Sequence, residues 1–335
     1  MADDAGAVRD GDELDVARLD AHLRRVLDLP DEPVHLLQFT AGRANLTYLV
    51  QVGDVELVVR RPPRGTLAPG AHDMAREHRV LSLLAEAYPR APRSLHFCDD
   101  TTVIGAPFIV IERRHGIVVR DRVPEQLAHH SDVERRVDFA LIDAAADLHA
   151  IDLAAHGLDA LGTGDGFGRR QVEGWAARWQ RAARDASPPA MDAVAQRLLD
   201  RLPEAPRRSV VHNDLKLDNC QFHTDDPDTV TSVFDWDMGT IGDPLFDLGL
   251  LLVSMRASPA WVLTAEDAVA RYASRSGIDV TNIDWYRAFA TWRTAVVLQQ
   301  LHNRYLDGDT TDPRYATFGD AIDEYVTTAA ALVGL

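Results

Sequence analysis

The chain has 335 residues, a length at which about two domains or lobes are expected. Its formal net charge of −17 excludes general binding to nucleic acids or to anionic membranes, because both need a surplus of lysine and arginine. A hydrophobic share of 46% supports a folded core and argues against a disordered chain.

The sequence is typical of a soluble cytoplasmic protein. Its cysteines, Cys98 and Cys220, stand far apart and match neither a disulfide framework nor a zinc motif, which fits a reducing compartment. The first residues lack the basic and apolar segments of a secretory signal. The longest apolar run, residues 248–253, is far shorter than the roughly 20 residues that a membrane span needs.

Residues 1–112 are predicted to form a lobe that is mainly antiparallel sheet. Its first dozen residues are acidic and predicted to be loose. Apolar residues at helical spacing predict a leading helix over residues 13–29, which Pro30 ends. A second helix is predicted over residues 71–87. Strands are predicted over Val34–Phe39, Leu46–Val52, 55–60 and 108–111, with Gly53-Asp54 as a hairpin turn.

Residues 113–335 are predicted to form a mainly helical second lobe. Ser131 and Glu134 have the spacing of a capping box and predict a helix over residues 131–152. Further helices are indicated by the spacing of Trp175 with Trp179 and of apolar residues 191–202. A short β-rich island, residues 210–235, interrupts them.

Polar side chains stand at the ends of the two strands of this island. A strand–turn–strand arrangement would bring Asn219 and Asp235 together and place Asp214 on the loop just before them. Carboxylate and amide oxygens suit Mg²⁺, which takes one or two carboxylates together with substrate phosphates. The remaining carboxylate, Asp214, can orient a hydroxyl group and accept its proton. Each residue alone is an ordinary turn residue, so the prediction depends on the ordered set.

That set reads His212-x-Asp214-x₄-Asn219, a hairpin, Asp235 and then Gly242-Asp243-Pro244-x-x-Asp247. It resembles the aminoglycoside phosphotransferase and choline-kinase superfamily, and above all the phosphotransferase-like domains associated with acyl-CoA dehydrogenases. The resemblance runs from Phe39 beyond Arg293. Other stretches that carry it are Gly42-Arg-Ala-Asn45, Arg60-Arg-Pro-Pro, Arg76-Glu77 and Asp147-Leu-His149.

The resemblance implies an α+β, two-lobed, protein-kinase-like fold, in which a small antiparallel-sheet lobe with one helix precedes a helical lobe holding a catalytic hairpin. It implies an ATP-dependent (or GTP-dependent) phosphotransferase that acts on a hydroxyl of a small molecule. Asp214 would be catalytic, and Asn219 and Asp235 would hold Mg²⁺. The nucleotide would bind between the lobes, near Arg60, Glu77, Gly42, Asn45, Ile111 and Arg113.

Three departures from the family pattern stand out. Asn213 replaces the glycine of the usual His-Gly-Asp loop and could reshape the approach to Asp214. Arg60 replaces the usual phosphate-binding lysine, which keeps the charge but changes its geometry. The glycine-rich loop retains only Gly42, with Ala44 where relatives often carry serine.

Glu77 supports the kinase interpretation independently of the resemblance. Met74, Leu81 and Leu84 define the apolar stripe of their helix, and Glu77 lies on that same stripe. An inward carboxylate needs a cationic partner, unless its side chain reaches the rim of the lobe. The kinase-like fold supplies Arg60 as that partner.

Two other functions stay open at this stage. A nucleotide-binding pseudokinase would fit Asn213 and Arg60, although the complete trio of polar side chains argues against it. A metal phosphohydrolase would want more histidine and aspartate ligands than the motif offers.

The acceptor and the oligomeric state are not determined by the sequence. The resemblance places the acceptor site near residues 164–184 and the C-terminal helices, with Trp175, Trp292 and Arg293 as weak candidates. It favours a hydroxyacyl or other metabolic substrate over a cationic antibiotic. His149 is predicted to be a packing residue rather than a ligand.

Overall fold

An antiparallel sheet dominates the first 112 residues of the computed structural model, which describes residues 5–39, 45–65, 72–184, 188–310 and 312–335. In the described part it has six strands, in the order β1-β2-β3-β4-β6-β5. These are β1 Ala5–Gly6, β2 Val34–Phe39, β3 Leu46–Val52, β4 Val55–Arg61, β5 Ser94–Cys98 and β6 Phe108–Glu112. All neighbouring strands run antiparallel, as expected for the first lobe of the predicted fold.

Two of these strands, β1 and β5, were not predicted. The expectation of a loose N-terminus is wrong for the described residues, because Ala5 pairs with Phe39 and Asp12 accepts a 2.7 Å hydrogen bond from the Tyr48 hydroxyl. Strand β5 has only five residues and depends on its pairing with β6. The turn at Gly53 forms as predicted, with a φ of +57° that glycine adopts without strain.

The helices of the first lobe are α1 Val16–Val26, α2 Met74–Leu84 and the short α3 Thr101–Ile104. Asp15 and Asp73 cap α1 and α2, so both helices begin later than the sequence predicts. The two helices cover opposite faces of the sheet. Leu23 of α1 packs in one apolar cluster with Tyr48, whereas Leu81 of α2 packs in another with Val58.

The second lobe is mainly helical, which confirms the predicted fold class. Its helices are α4 Val133–His149, α5 Phe167–Ala182, α6 Ala190–Asp200, α7 Leu245–Ala257, α8 Ala265–Ser276, α9 Ile283–Leu306 and α10 Phe318–Val333. Within the described residues, none of the helices is both long enough and apolar enough to cross a membrane.

The predicted β island contains parts of two separate small sheets. Strands β8 Cys220–His223 and β9 Asp226–Val233 form the expected hairpin. Strand β7 Ser209–Val211 instead pairs with β10 Thr240–Gly242. The loop that carries Asp214 therefore connects one small sheet to the other.

The prediction of a capping box at Ser131 is wrong, because no such box forms at the start of α4. Helix α4 begins at Val133, and the residue before it, Asp132, has a φ of +50° and makes no side-chain cap. A capping box needs an extended residue at the cap position, which this left-handed turn does not provide.

One apolar core joins the two lobes. It contains Leu81 and Leu84 of α2 together with Leu141 of α4 and Leu248 of α7. The Tyr88 hydroxyl adds a 2.9 Å hydrogen bond to the carbonyl of Ala144. This continuous core fixes β4 and α2 against the hairpin of the second lobe.

Asp138 gives the fold a testable dependence on pH. It is fully buried on α4 and accepts hydrogen bonds from the Val262 and Leu263 amides, while burial raises its pKa to about 7. A raised folded-state pKa means that this residue's contribution to stability is complete below the unfolded pKa and is lost as pH rises towards 7.

We therefore expect the difference in unfolding free energy between Asp138→Asn and wild type to change with pH. It should shift in favour of the variant by about 1–3 kcal/mol as the pH rises from about 5 to about 8, because one pKa unit corresponds to about 1.4 kcal/mol. Urea denaturation at several pH values measures this difference. Glu134→Gln, on the exposed side of the same helix, is the control. A difference between Asp138→Asn and wild type that does not change with pH would contradict the expectation.

Candidate active site

The Asp214 carboxylate is held from two sides at the start of the β8–β9 hairpin. Its Oδ2 atom accepts a 2.8 Å hydrogen bond from Lys216 Nζ and a 3.1 Å bond from Asn219 Nδ2. Asn219 Nδ2 also donates to the Asp214 carbonyl at 2.8 Å. The Asp214 side chain retains 37% of its exposure, so the carboxylate is positioned and still accessible.

Buried Asp247 fixes the backbone that leads into Asp214. Its two carboxylate oxygens accept hydrogen bonds of 2.6 Å from the amides of His212 and Asn213. His149 Nε2 lies 3.2 Å from the same carboxylate, and its other ring nitrogen lies 2.7 Å from the Tyr272 hydroxyl. Burial alone would raise the pKa of Asp247, but its contacts with His149 and His212 lower it. His149 is thus a satisfied buried histidine, as its sequence position suggests.

The structure explains why asparagine can stand at position 213. The residue has a φ of +65°, a left-handed conformation that favours glycine and that asparagine tolerates better than most residues. Its side-chain amide donates a 2.9 Å hydrogen bond to the carbonyl of Met238. The Asn213 side chain is therefore engaged with the segment after the hairpin, whereas Asp214 is held by Lys216 and Asn219.

Asn219 and Asp235 meet at the open end of the hairpin. The amide of Phe234 donates a 2.8 Å hydrogen bond to the Asn219 carbonyl, which places Asp235 next to Asn219. Among the described residues, none donates a hydrogen bond to Asn219 Oδ1. Asp235 has a φ of +69°, a left-handed conformation that is uncommon in general but that aspartate, like asparagine, adopts more readily than most residues. Together the amide and carboxylate oxygens form a donor set that suits Mg²⁺.

Arg60 of β4 and Glu77 of α2 form the predicted buried ion pair. Arg60 Nη2 also lies 2.7 Å from Asp235 Oδ1, a contact that the sequence did not predict. Burial raises the pKa of Glu77 to about 7 despite the neighbouring guanidinium. Burial also acts to raise the pKa of Asp235, but the charge and hydrogen bond of Arg60 keep it below its usual range. Arg60 therefore joins the first lobe to the hairpin.

Arg293 of α9 contacts the loop before Asp214 from within the same lobe. Its Nη2 atom donates a 2.9 Å hydrogen bond to the Asn213 carbonyl, and its guanidinium lies 4.6 Å from the ring centre of Trp175. Burial lowers the pKa of Arg293 to about 10. Trp292, in contrast, is completely buried and donates to the Met191 carbonyl, so the suggestion that it contacts an acceptor is wrong.

The remaining nucleotide-site predictions fall on the first lobe and, for Arg113, on the first residue of the second lobe. Asn45 is buried, with its Oδ1 atom 2.8 Å from His72 Nδ1. Ile111 lies in β6 with its side chain in the core, and its strand pairs on both sides. Arg113 stacks on the Phe39 ring at 4.9 Å. Gly42 lies outside the described residues.

A cavity of about 230 Å³ adjoins the loop at residues 216–218. Lys216 contributes to one wall, and Leu251 and Met255 of α7 contribute to another. Met255 and Trp261 also line a second cavity of about 530 Å³ between α7, α9 and α10. Both cavities have walls of mixed polar and apolar side chains.

Two supporting residues were not assigned roles from the sequence. Lys216 follows Asp214 by two positions and has an extended backbone, with φ −162° and ψ 169°. Side chains two positions apart on extended backbone project to the same side, so this spacing could have predicted the contact between Lys216 and Asp214. Asp247 lies 34 and 35 positions along the chain from the two amides whose hydrogen bonds it accepts, so no local pattern in the sequence indicates its role.

Comparison with known proteins identifies the family of this chain. The family model described as phosphotransferase enzyme family matches residues 35–293. Acyl-CoA dehydrogenase family member 10 of Mus musculus is 33% identical over 292 residues, which are 82% of this chain and 27% of that protein. Member 11 of Rattus norvegicus is 32% identical over 81% of this chain and 37% of its own length. The chain thus spans well under half of these relatives.

Solved structures show the same fold. A crystal structure from Ralstonia eutropha JMP134, provisionally assigned as an aminoglycoside phosphotransferase, has a TM-score of 0.81 and 26% identity, covering 96% of this chain and 99% of that chain. A thermostable mutant of aminoglycoside phosphotransferase APH(4)-Ia, in a ternary complex with ADP and hygromycin B, has a TM-score of 0.61 at 16% identity, covering 94% of this chain and 97% of that chain. The second likeness concerns the fold alone.

Proposed function

We propose that this chain, which belongs to the phosphotransferase enzyme family, transfers the γ-phosphoryl group of ATP or GTP to a hydroxyl group of a small molecule. The observation that carries the proposal is the Asp214 carboxylate, which Lys216 and Asn219 hold at the mouth of the hairpin. An accessible carboxylate beside an ammonium group and a hard-cation donor set is what phosphoryl transfer to an alcohol requires.

The residues present fit a magnesium ion. Asn219 Oδ1 and the Asp235 carboxylate would hold it, together with phosphate oxygens of the nucleotide. When bound, the ion would neutralise charge on those phosphates. Of these two residues, only Asp235 has a cationic partner, Arg60, which is itself also paired with Glu77.

Asp214 would orient the acceptor hydroxyl and receive its proton. The two hydrogen bonds to Oδ2 leave Oδ1 to face the hydroxyl, so the carboxylate is oriented before the acceptor arrives. The Lys216 ammonium, 2.8 Å from this carboxylate, would offset negative charge that gathers near the transferring group. Burial alone would lower the pKa of Lys216, but Asp214 raises it, so the ammonium stays charged.

The acceptor would enter the cavity that Lys216 lines. Leu251 and Met255 on its α7 wall would contact a hydrocarbon portion of the acceptor. Measurement of ADP release from ATP with a panel of hydroxylated metabolites tests the proposal. Release that depends on an added acceptor supports it. Phosphate release without nucleotide preference would indicate a phosphohydrolase, and nucleotide binding without turnover would indicate a pseudokinase.

Asp235→Ala is expected to weaken binding of MgATP much more than binding of metal-free ATP, because it removes a carboxylate ligand of the ion. Calorimetric titration with and without Mg²⁺ measures both affinities. Asp225→Ala, in the exposed turn at the other end of the hairpin, is the control. Equal losses in the two titrations would mean that Asp235 acts only through its contact with Arg60.

A further inference from the structure

Three potential metal ligands meet on the face of the sheet that α1 covers. His22 lies on α1, and His96 and Cys98 lie on β5. The Nε2 atoms of the two histidines are 3.0 Å apart, and one ligand atom from each of the three residues lies within 4.8 Å of the others. Within the described residues, it is the one group of three histidine, cysteine or carboxylate side chains whose ligand atoms lie close enough together to hold a metal ion.

The fold builds this arrangement from simple periodicity. His96 and Cys98 are two positions apart on a strand, so their side chains project from the same face. Cys98 belongs to the apolar cluster that also contains Leu19 and Leu23 of α1, which lie three positions before His22 and one position after it. The His22 ring packs edge-on against Phe108 at 5.6 Å, which restrains its orientation.

We propose that His22, His96 and Cys98 form a binding site for a divalent transition-metal ion of the zinc class. Two imidazoles and one thiolate are ligands that zinc prefers, with metal–nitrogen distances of about 2.0–2.1 Å and a metal–sulfur distance of about 2.3 Å. Tetrahedral ligation at those lengths separates two nitrogens by ~3.4 Å. The imidazoles are therefore within a few tenths of an ångström of the required spacing, and water would take the fourth position.

Metal binding needs a defined change in protonation. Arg25 Nη2 lies 3.1 Å from His22 Nδ1, so in the metal-free protein the His22 proton is on Nε2, where it is shared with His96. Binding moves that proton to Nδ1 and releases the exposed Arg25 side chain, while Cys98 loses its thiol proton to solvent.

The site is separate from the candidate active site. Arg60 pairs with Glu77 on the α2 face of the sheet, whereas His22 approaches from α1 on the other face. A bound ion would connect α1 to the edge strand β5. It would therefore stabilise the first lobe without contributing a ligand to phosphoryl transfer.

Titration of the full chain with Zn²⁺ and with Co²⁺ tests the proposal. We expect one tight Co²⁺ ion with a thiolate-to-cobalt charge-transfer band, displacement of that ion by Zn²⁺, and a Zn²⁺-dependent rise in Tm. Cys98→Ser should abolish the charge-transfer band, and His96→Gln should weaken Co²⁺ binding at least tenfold. His35→Gln, an exposed histidine on β2, should match wild type.

Asp235→Ala separates this site from the proposed magnesium site. The variant should retain the thiolate band, because Asp235 lies in the other lobe. Co²⁺ binding without a thiolate band, or a band that Cys98→Ser retains, would overturn the proposal. So would the absence of tight binding to wild type, since His22 and His96 would then share only a hydrogen bond.

Discussion

Asp214→Asn is expected to reduce ATP-dependent phosphoryl transfer by about 10²–10⁴-fold, the usual effect of losing a positioned base. Asparagine keeps the size of the side chain and an oxygen that can accept the hydrogen bond from Lys216, but it cannot take a proton. Nucleotide affinity should change by only a few-fold, because the proposed role of the carboxylate is to contact the acceptor rather than the phosphates. Acceptor-dependent ADP release gives the rate, and calorimetry gives the affinity.

The control for this substitution is Asp225→Asn, which changes the same functional group in the exposed hairpin turn. It should retain the rate of wild type. Turnover of Asp214→Asn near that of wild type would remove Asp214 from the mechanism and leave the proposed transfer without a base.

Arg60→Ala and Glu77→Ala are each expected to cause a strong loss of activity, and the double variant should be little worse than either. The two side chains are buried and paired, so removal of one leaves the other charge without its partner. Removing one partner of a fully desolvated ion pair lowers the unfolding free energy by roughly 3–5 kcal/mol. The decrease should be smaller here after Glu77→Ala, because Asp235 still contacts Arg60 at 2.7 Å.

A double-mutant cycle on kcat/KM measures this coupling. Glu77→Gln is the matched variant, since it keeps an acceptor for Arg60 and removes the charge; it should lose less activity than Glu77→Ala. The unfolding free energy of each variant must be measured alongside, to separate loss of activity from loss of fold. Strictly additive losses would mean that Arg60 and Glu77 act independently.

Local features of the sequence determined much of the fold. The strands β2 and β3 and the turn between β3 and β4 follow from alternation and from Gly53. The position of Glu77 on an apolar helical stripe was enough to predict a buried cationic partner, because an unpaired carboxylate is costly in a core. The ordered polar residues from His212 to Asp235 predicted the hairpin, and the resemblance of that ordered set to the phosphotransferase family supplied its expected chemistry.

Tertiary structure alone decided the contacts between distant segments. Arg60 reaches Asp235 across 175 positions, and Asp247 fixes the loop before Asp214 from the start of α7. These contacts depend on how two lobes pack around a shared core, and no local period in the sequence reports that packing. The same reason explains β1 and β5, which exist only because a neighbouring strand completes their hydrogen bonds, and the cluster of His22, His96 and Cys98, which forms only when α1 packs on the sheet.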